Sequence, residues 1–147
     1  MKKLFVSFVV ATMLLTSCST DKFVSDSVNR VRFTEARNYF HVGGEAAPVV
    51  KKITSQAAFE KEFGEATHMG KGGQPTKIDF SKNFVIAYIL PETSLETEFS
   101  PLSLTVKGRA HLVLKYRLKQ GEQRSFTTQP FFLIVVDRKY ADYTVEK

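Results

Sequence analysis

Two stretches of the chain, 84–90 and 131–136, are apolar without interruption. Side chains that are apolar on both sides of a pleat predict strands covered on both faces. Pro91 ends the first run and Pro130 precedes the second; lacking an N–H, Pro130 breaks a strand or marks an edge. Between these runs the pattern changes to alternation. Leu102, Leu104 and Val106 alternate with Ser103, Thr105 and Lys107. After Gly108 and Arg109, Leu112, Leu114, Tyr116 and Leu118 alternate with His111, Val113, Lys115 and Arg117. That predicts an antiparallel hairpin with one wet face. A further loop is expected at 120–122, around Gly121. A two-residue loop would set Phe126 opposite Lys115 and a three-residue loop opposite Tyr116, and burial favours the second.

The first third carries weaker patterns. Residues 37–42 are an aromatic and β-branched run ended by Gly43 and Gly44, and 49–53 follow Pro48; both read as strands. Thr54 or Ser55 caps a helix expected over 56–63, where Phe59 and Phe63 share a face and Glu60, Lys61 and Glu62 face water. Gly64 is placed for the left-handed turn that ends it. Residues 65–77 hold three glycines and a proline but no apolar pattern, so a long loop is expected, of the functional or mobile kind. Tyr140 and Tyr143 are expected to close one end of the core. Six or seven strands and one helix, with no internal repeat, give an α+β fold: a mostly antiparallel sheet or open β-barrel with one short helix packed on it.

The amino end follows a different logic. Lys2 and Lys3 precede an uncharged run over 4–15, and polar residues begin by Ser19. A spanning helix needs about 20 apolar residues, so this is the layout of a secretory signal peptide. Leu15, Thr16 and Ser17 before Cys18 resemble the lipobox of bacterial lipoproteins, which implies lipidation of Cys18 and cleavage before it. Residues 1–17 are then the signal peptide, 18–35 a polar, lipidated tether in which Val28, Val31 and Phe33 touch the domain, and 36–147 a single α+β domain.

Of 147 residues, 43% are hydrophobic and 24% charged, with 5 Pro and 8 Gly, which excludes collagen-like, low-complexity and wholly disordered classes. Cleavage before Cys18 takes both leader lysines and leaves 130 residues with 19 basic and 15 acidic side chains, a formal charge of +4. Cys18 is the only cysteine, so no disulfide forms, and a core of this size folds without one. Export also argues against a nucleic-acid partner.

Candidate chemistry is sparse. His41, His68 and His111 are far apart and match no metal-ligand spacing; His41 and His111 read as surface or rim residues, and His68, in the long loop, is the histidine to test. The segment around Gly64 and Gly70-Lys71-Gly72 fails as a phosphate loop, since the glycine spacing is wrong and no Ser or Thr follows the lysine. No GxSxG elbow exists. Glu92, Glu96 and Glu98 cluster where paired carboxylates could hydrolyse a glycoside, although such clusters are usually a solvated loop. Lys115, Arg117 and Lys119 form a basic row, with Lys107, Arg109 and Arg124 nearby. The row is either a solvated, aggregation-blocking face or an attractor for nucleic acid, anionic lipid headgroups or an acidic protein. No catalytic residue, metal or cofactor is assigned.

Over 49–136 the order of motifs is similar to the C-terminal domain of the PrcB protease-complex subunits. The resemblance lies in Ala58-Phe59-Glu60-Lys61-Glu62-Phe63, in Ile78-Asp79-Phe80-Ser81-Lys82 leading into Phe84-Val85-Ile86-Ala87, and in Thr128-Gln129-Pro130-Phe131. It implies a small exported β-rich domain that stabilises or modulates a protease by binding it. Where that family carries a Gly- and Tyr-rich segment, this chain has Pro91-Glu92-Thr93-Ser94-Leu95. The whole, including Asn38-Tyr39-Phe40, also resembles uncharacterised lipoproteins of Bacteroides-type bacteria.

The leading expectation is a non-enzymatic, lipid-anchored protein-binding module of the cell envelope, with Lys71, Lys115 and Arg117 as partner-binding residues and the bilayer reached through Cys18. An envelope hydrolase acting on glycan or peptide is the alternative, using 92–98 or the His68 loop. The resemblance to bacterial lipoproteins implies the outer membrane, since Ser19 rather than a retaining Asp follows Cys18, and the periplasmic side, since Asp21-Lys22 lacks the acidic run of surface-exported relatives.

Overall fold

The computed structural model describes residues 29–147. Its strands are β1 (Arg30–Val31), β2 (Phe33–Ala36), β3 (Tyr39–His41), β4 (Val49–Ile53), β5 (Phe63–Glu65), β6 (Asn83–Ile89), β7 (Thr93–Lys107), β8 (His111–Thr128), β9 (Phe131–Asp137) and β10 (Thr144–Glu146). One α-helix, α1 (Gln56–Glu62), precedes β5, and a 3-10 turn, Arg138–Tyr140, follows β9. One sheet has the order β1-β7-β8-β10, a second β2-β9-β6-β4, and β3 pairs with β5 alone. Every pairing is antiparallel except β10 on β8. The antiparallel, mostly-strand reading therefore holds. Among the described residues the strands divide into separate sheets and form no closed barrel.

The two uninterrupted apolar runs are β6 and β9, paired from Asn83↔Asp137 to Ile89↔Phe131 at the centre of their sheet. Leu90 N–H donates to Pro130 O at 2.9 Å, and pairing resumes at Thr93↔Thr128, running to Lys107↔His111. The four strands thus form one long hairpin ladder, turned at Gly108 (φ 64°) and folded back at Leu90 and Pro130. Folding back stacks the two sheets. Phe84, Ile86, Tyr88, Phe132, Ile134 and Val136 face Leu104, Leu112, Leu114 and Val31 across an apolar interior. An aromatic group at the fold, Tyr88, Phe99, Tyr116 and Phe132, is packed with ring centroids 4.7–5.8 Å apart, mostly edge to face.

The other face of β6 and β9, carrying Val85, Ala87, Ile89 and Leu133, is covered by Phe59 of α1 and by Phe63. That gives three layers, and explains why these two strands are apolar throughout. Ser55 is the cap, accepting from Ala58 N–H at 3.3 Å. Tyr140 and Tyr143 pack on the sandwich core, as expected.

Four sequence expectations need correction. No loop interrupts 120–122: β8 runs on to Thr128, and Gly121 lies beside Glu96 of β7, where the register shifts. A glycine in a strand marks a bulge as readily as a turn, so Phe126 opposes neither Lys115 nor Tyr116. The segment 93–98, expected as loop, is the matching half of that ladder. Gly64 makes no left-handed turn; Phe63 is extended (φ −134°, ψ 134°) and the chain passes straight from helix into β5. Gly64 is instead required opposite Phe40, whose ring occupies the space a Cβ would take. Finally, the domain begins before residue 36. β1 and β2 add one strand to each large sheet, and Val31 is buried. Residues 1–28, which hold the expected signal peptide, Cys18 and most of the expected tether, lie outside the described residues.

Candidate functional site

Three places deserve comparison, beginning with the ladder beyond the sandwich. β1 covers β7 only at Leu104 and Thr105, and β10 covers β8 only at His111, Leu112 and Val113. Among the described residues the ribbon has no further partner strand on either edge from Ser103↔Lys115 outward, and all of 117–128 is exposed. The basic row lies here, but it is matched. Arg117 and Lys119 reach Glu98 at 3.5 and 3.7 Å, and Arg124 pairs with Glu96 at 2.5 Å. Over 93–103 and 113–128 the ribbon carries four cations and three carboxylates, so the expected positive stripe is nearly neutral. The same pairing occupies Glu96 and Glu98, the carboxylates offered for hydrolysis. Between them lies an open groove of about 640 Å³, lined also by Leu95, Gly121 and Phe126. Leu118 and Phe126 present apolar surface to water, and the Arg124 guanidinium sits 5.6 Å from the Phe126 ring centroid.

The second place is the loop after β5. Hydrogen bonds tie it to β3 and the residues before it. Asn38, in the left-handed region at φ 63°, donates from its amide to Gly72 O and Gln74 O, both at 2.7 Å, while its own carbonyl accepts from Ala66 N–H at 2.9 Å. Tyr39 OH donates to Thr76 O at 2.6 Å, and burial raises its phenol pKa, helped by Glu65. His68 and Lys71 are exposed. Because Tyr39 packs on Phe59 of the helix layer, this loop belongs to the layer opposite the β7–β8 sheet. Lys71 therefore does not share a surface with Lys115 and Arg117.

The third place was not singled out from the sequence. His41, expected at the rim, has a side chain only 3% exposed, wedged beside Phe63 and Phe131 with ring centroids at 5.2 and 6.4 Å. Its Nδ1 is 2.8 Å from Gln129 Oε1 and its Nε2 is 3.6 Å from Glu62 Oε2. Lys51 of β4 donates to Glu45 at 2.5 Å and to Glu62 at 2.8 Å. The hydrogen bonds to Glu45 and then Glu62 raise the Lys51 pKa, and the Lys51 ammonium in turn lowers that of Glu62. His41 and Glu62 meet because β3 pairs with β5 immediately after the helix, with His41 opposite Phe63. No spacing along the chain announces this. His111, by contrast, is exposed and meets Glu146 at 3.0 Å.

No family model matches the chain, and neither a curated protein nor a solved structure matches it.

Proposed function

We propose that the chain is a lipid-anchored, non-enzymatic binding module of the cell envelope, and that the overhanging β7–β8 ribbon is the element that engages a partner protein. The observation that carries this reading is the run 117–128, exposed at every position although it is in strand conformation. A two-stranded ribbon is marginal in water by itself, and open edges are templates for another chain. Cross-strand pairs such as Glu96–Arg124 each add only a few tenths of a kcal/mol to about 1 kcal/mol. A ribbon held out in this way gains most when a partner's extended segment pairs with its edge and covers Leu118 and Phe126. Modulation of a protease is the form of partnership that the PrcB resemblance suggests.

Photo-crosslinking amino acids placed at Lys115, Arg117 and Phe126 in intact cells are expected to trap one envelope protein, with Lys71 and Glu60 on the opposite layer giving no such adduct. Equal labelling from both layers, or none from the ribbon, would remove the ribbon from consideration.

Anchoring is tested separately. Among the described residues no helix is long and apolar enough to cross a membrane. One acyl chain binds a bilayer only reversibly, so firm retention needs the several chains of a mature lipoprotein. Cys18→Ser should move the protein from the membrane fraction to the soluble fraction or leave it uncleaved. A wild-type protein recovered soluble with a free thiol defeats the anchor.

A further inference from the structure

We propose that His41, Glu45 and Glu62 form a site for a divalent transition-metal ion of the zinc class, gated by Lys51. Their donor atoms all lie within 4.8 Å of one another. Ligands of a tetrahedral zinc at 2.0–2.2 Å stand roughly 3.3 Å apart. The 3.6 Å between His41 Nε2 and Glu62 Oε2 is too long for a hydrogen bond and close to that ligand spacing.

The surroundings of the ring point the same way. In the tautomer in which His41 Nδ1–H donates to Gln129 Oε1 at 2.8 Å, the lone pair is on Nε2 and is aimed at a carboxylate. In that tautomer a cation placed between the two groups would be held by both. An outer hydrogen bond of this type is how metal-binding imidazoles are oriented. Gln129 Nε2 is itself buried and without a partner among the described residues. The residue thus keeps its carbonyl on His41 at the cost of an unpaired amide nitrogen, as a group retained for orienting the ring would.

The place for a cation is already marked. Lys51 Nζ bridges Glu45 and Glu62 at 2.5 and 2.8 Å, and its partly exposed side chain has a flexible stem that can swing to water. Binding is then an exchange: the ammonium leaves, and the divalent ion takes both carboxylates together with the imidazole nitrogen that the ammonium cannot use. One nitrogen and two oxygens suit zinc better than magnesium or calcium, which prefer oxygen alone. Three protein ligands leave a fourth position open.

The test is calorimetric titration of the detergent-solubilised full chain with zinc chloride, with thermal melting in EDTA to establish that each variant is folded. Wild type should bind one equivalent and melt higher with zinc. Lys51→Met, which removes the competing ammonium, should bind at least tenfold more tightly, and Glu45→Gln at least tenfold more weakly; magnesium should give no heat. Gln129→Leu should weaken binding by about 10-fold or more. If His41→Gln fails to fold, Glu45→Gln still decides, since Glu45 is partly exposed in a connecting segment. The site is overturned if neither wild type nor Lys51→Met binds zinc, if the two bind equally, or if Glu45→Gln binds as wild type does.

Discussion

Phe84→Ala is expected to destabilise the domain by about 3–5 kcal/mol, the range for removing a buried aromatic ring, and so to consume much of a total that is typically about 5–15 kcal/mol. Phe84 has no exposed surface. It sits in β6, held by β4 and β9 on its two sides, and packs into the interior between the sheets. With antiparallel pairing on both edges of β6, the backbone cannot sag inward to refill the gap, so the cavity persists. Phe126→Ala makes the same chemical change on the ribbon, where the ring is 53% exposed, and should cost less than about 0.5 kcal/mol. Chemical denaturation of the two variants checks both numbers. Similar losses in the two would mean that the ribbon ring is buried in the folded protein.

Asn38→Ala is expected to cost about 2–5 kcal/mol, mostly by releasing the loop after β5 rather than by unfolding the sheets. Two contributions are separable. The side chain holds two carbonyls, Gly72 O and Gln74 O, and each such bond contributes about 0.5–1.5 kcal/mol net. Left-handed backbone at Asn38 costs an ordinary L-residue about 1–2 kcal/mol. Asn38→Gly loses the bonds but relieves the backbone, so it should fall between wild type and Asn38→Ala. Amide exchange reports where the loss acts: Ala66, His68 and Thr76, whose N–H groups bond within this loop or to β3 and its approach, should exchange faster, while those of β6 and β9 stay protected. Uniform acceleration across β6 and β9 would show that the loop and the sheets open as one unit.

What could be read from the chain beforehand divides along physical lines. β6 and β9 were legible because burial on both faces leaves an uninterrupted apolar run, and α1 because Ser55, Phe59 and Phe63 state a cap and one face within nine residues. The far half of β8 was not, since a ribbon wet on every side has no alternation to show and Gly121 mimics a turn. β1, β2 and β10 are too short to carry a period. The cluster around His41 was illegible for another reason: β3, the helix end, β4 and the Gln129 junction contribute to it, and only the pairing of His41 with Phe63 brings imidazole and carboxylate together. The basic row was visible, but its neutralisation by Glu96 and Glu98 depended on a register that a misplaced loop had hidden.

The folded-back ladder bears on how the chain reaches its structure. Asn83 and Asp137 are far apart in sequence, and closing a loop of that length in one step would carry a large entropic barrier. Starting from the turn at Gly108, however, each new pair outward from Lys107↔His111 closes only a short additional segment, because the preceding pair already holds the two strands together. Zipping outward past the register shifts of the ribbon would reach Leu90 and Pro130, whose hydrogen bond links the ladder to Ile89↔Phe131. Folding by this route would be faster than the average sequence separation of contacts suggests, and the central strands, although the most buried in the finished domain, would be among the later ones to pair.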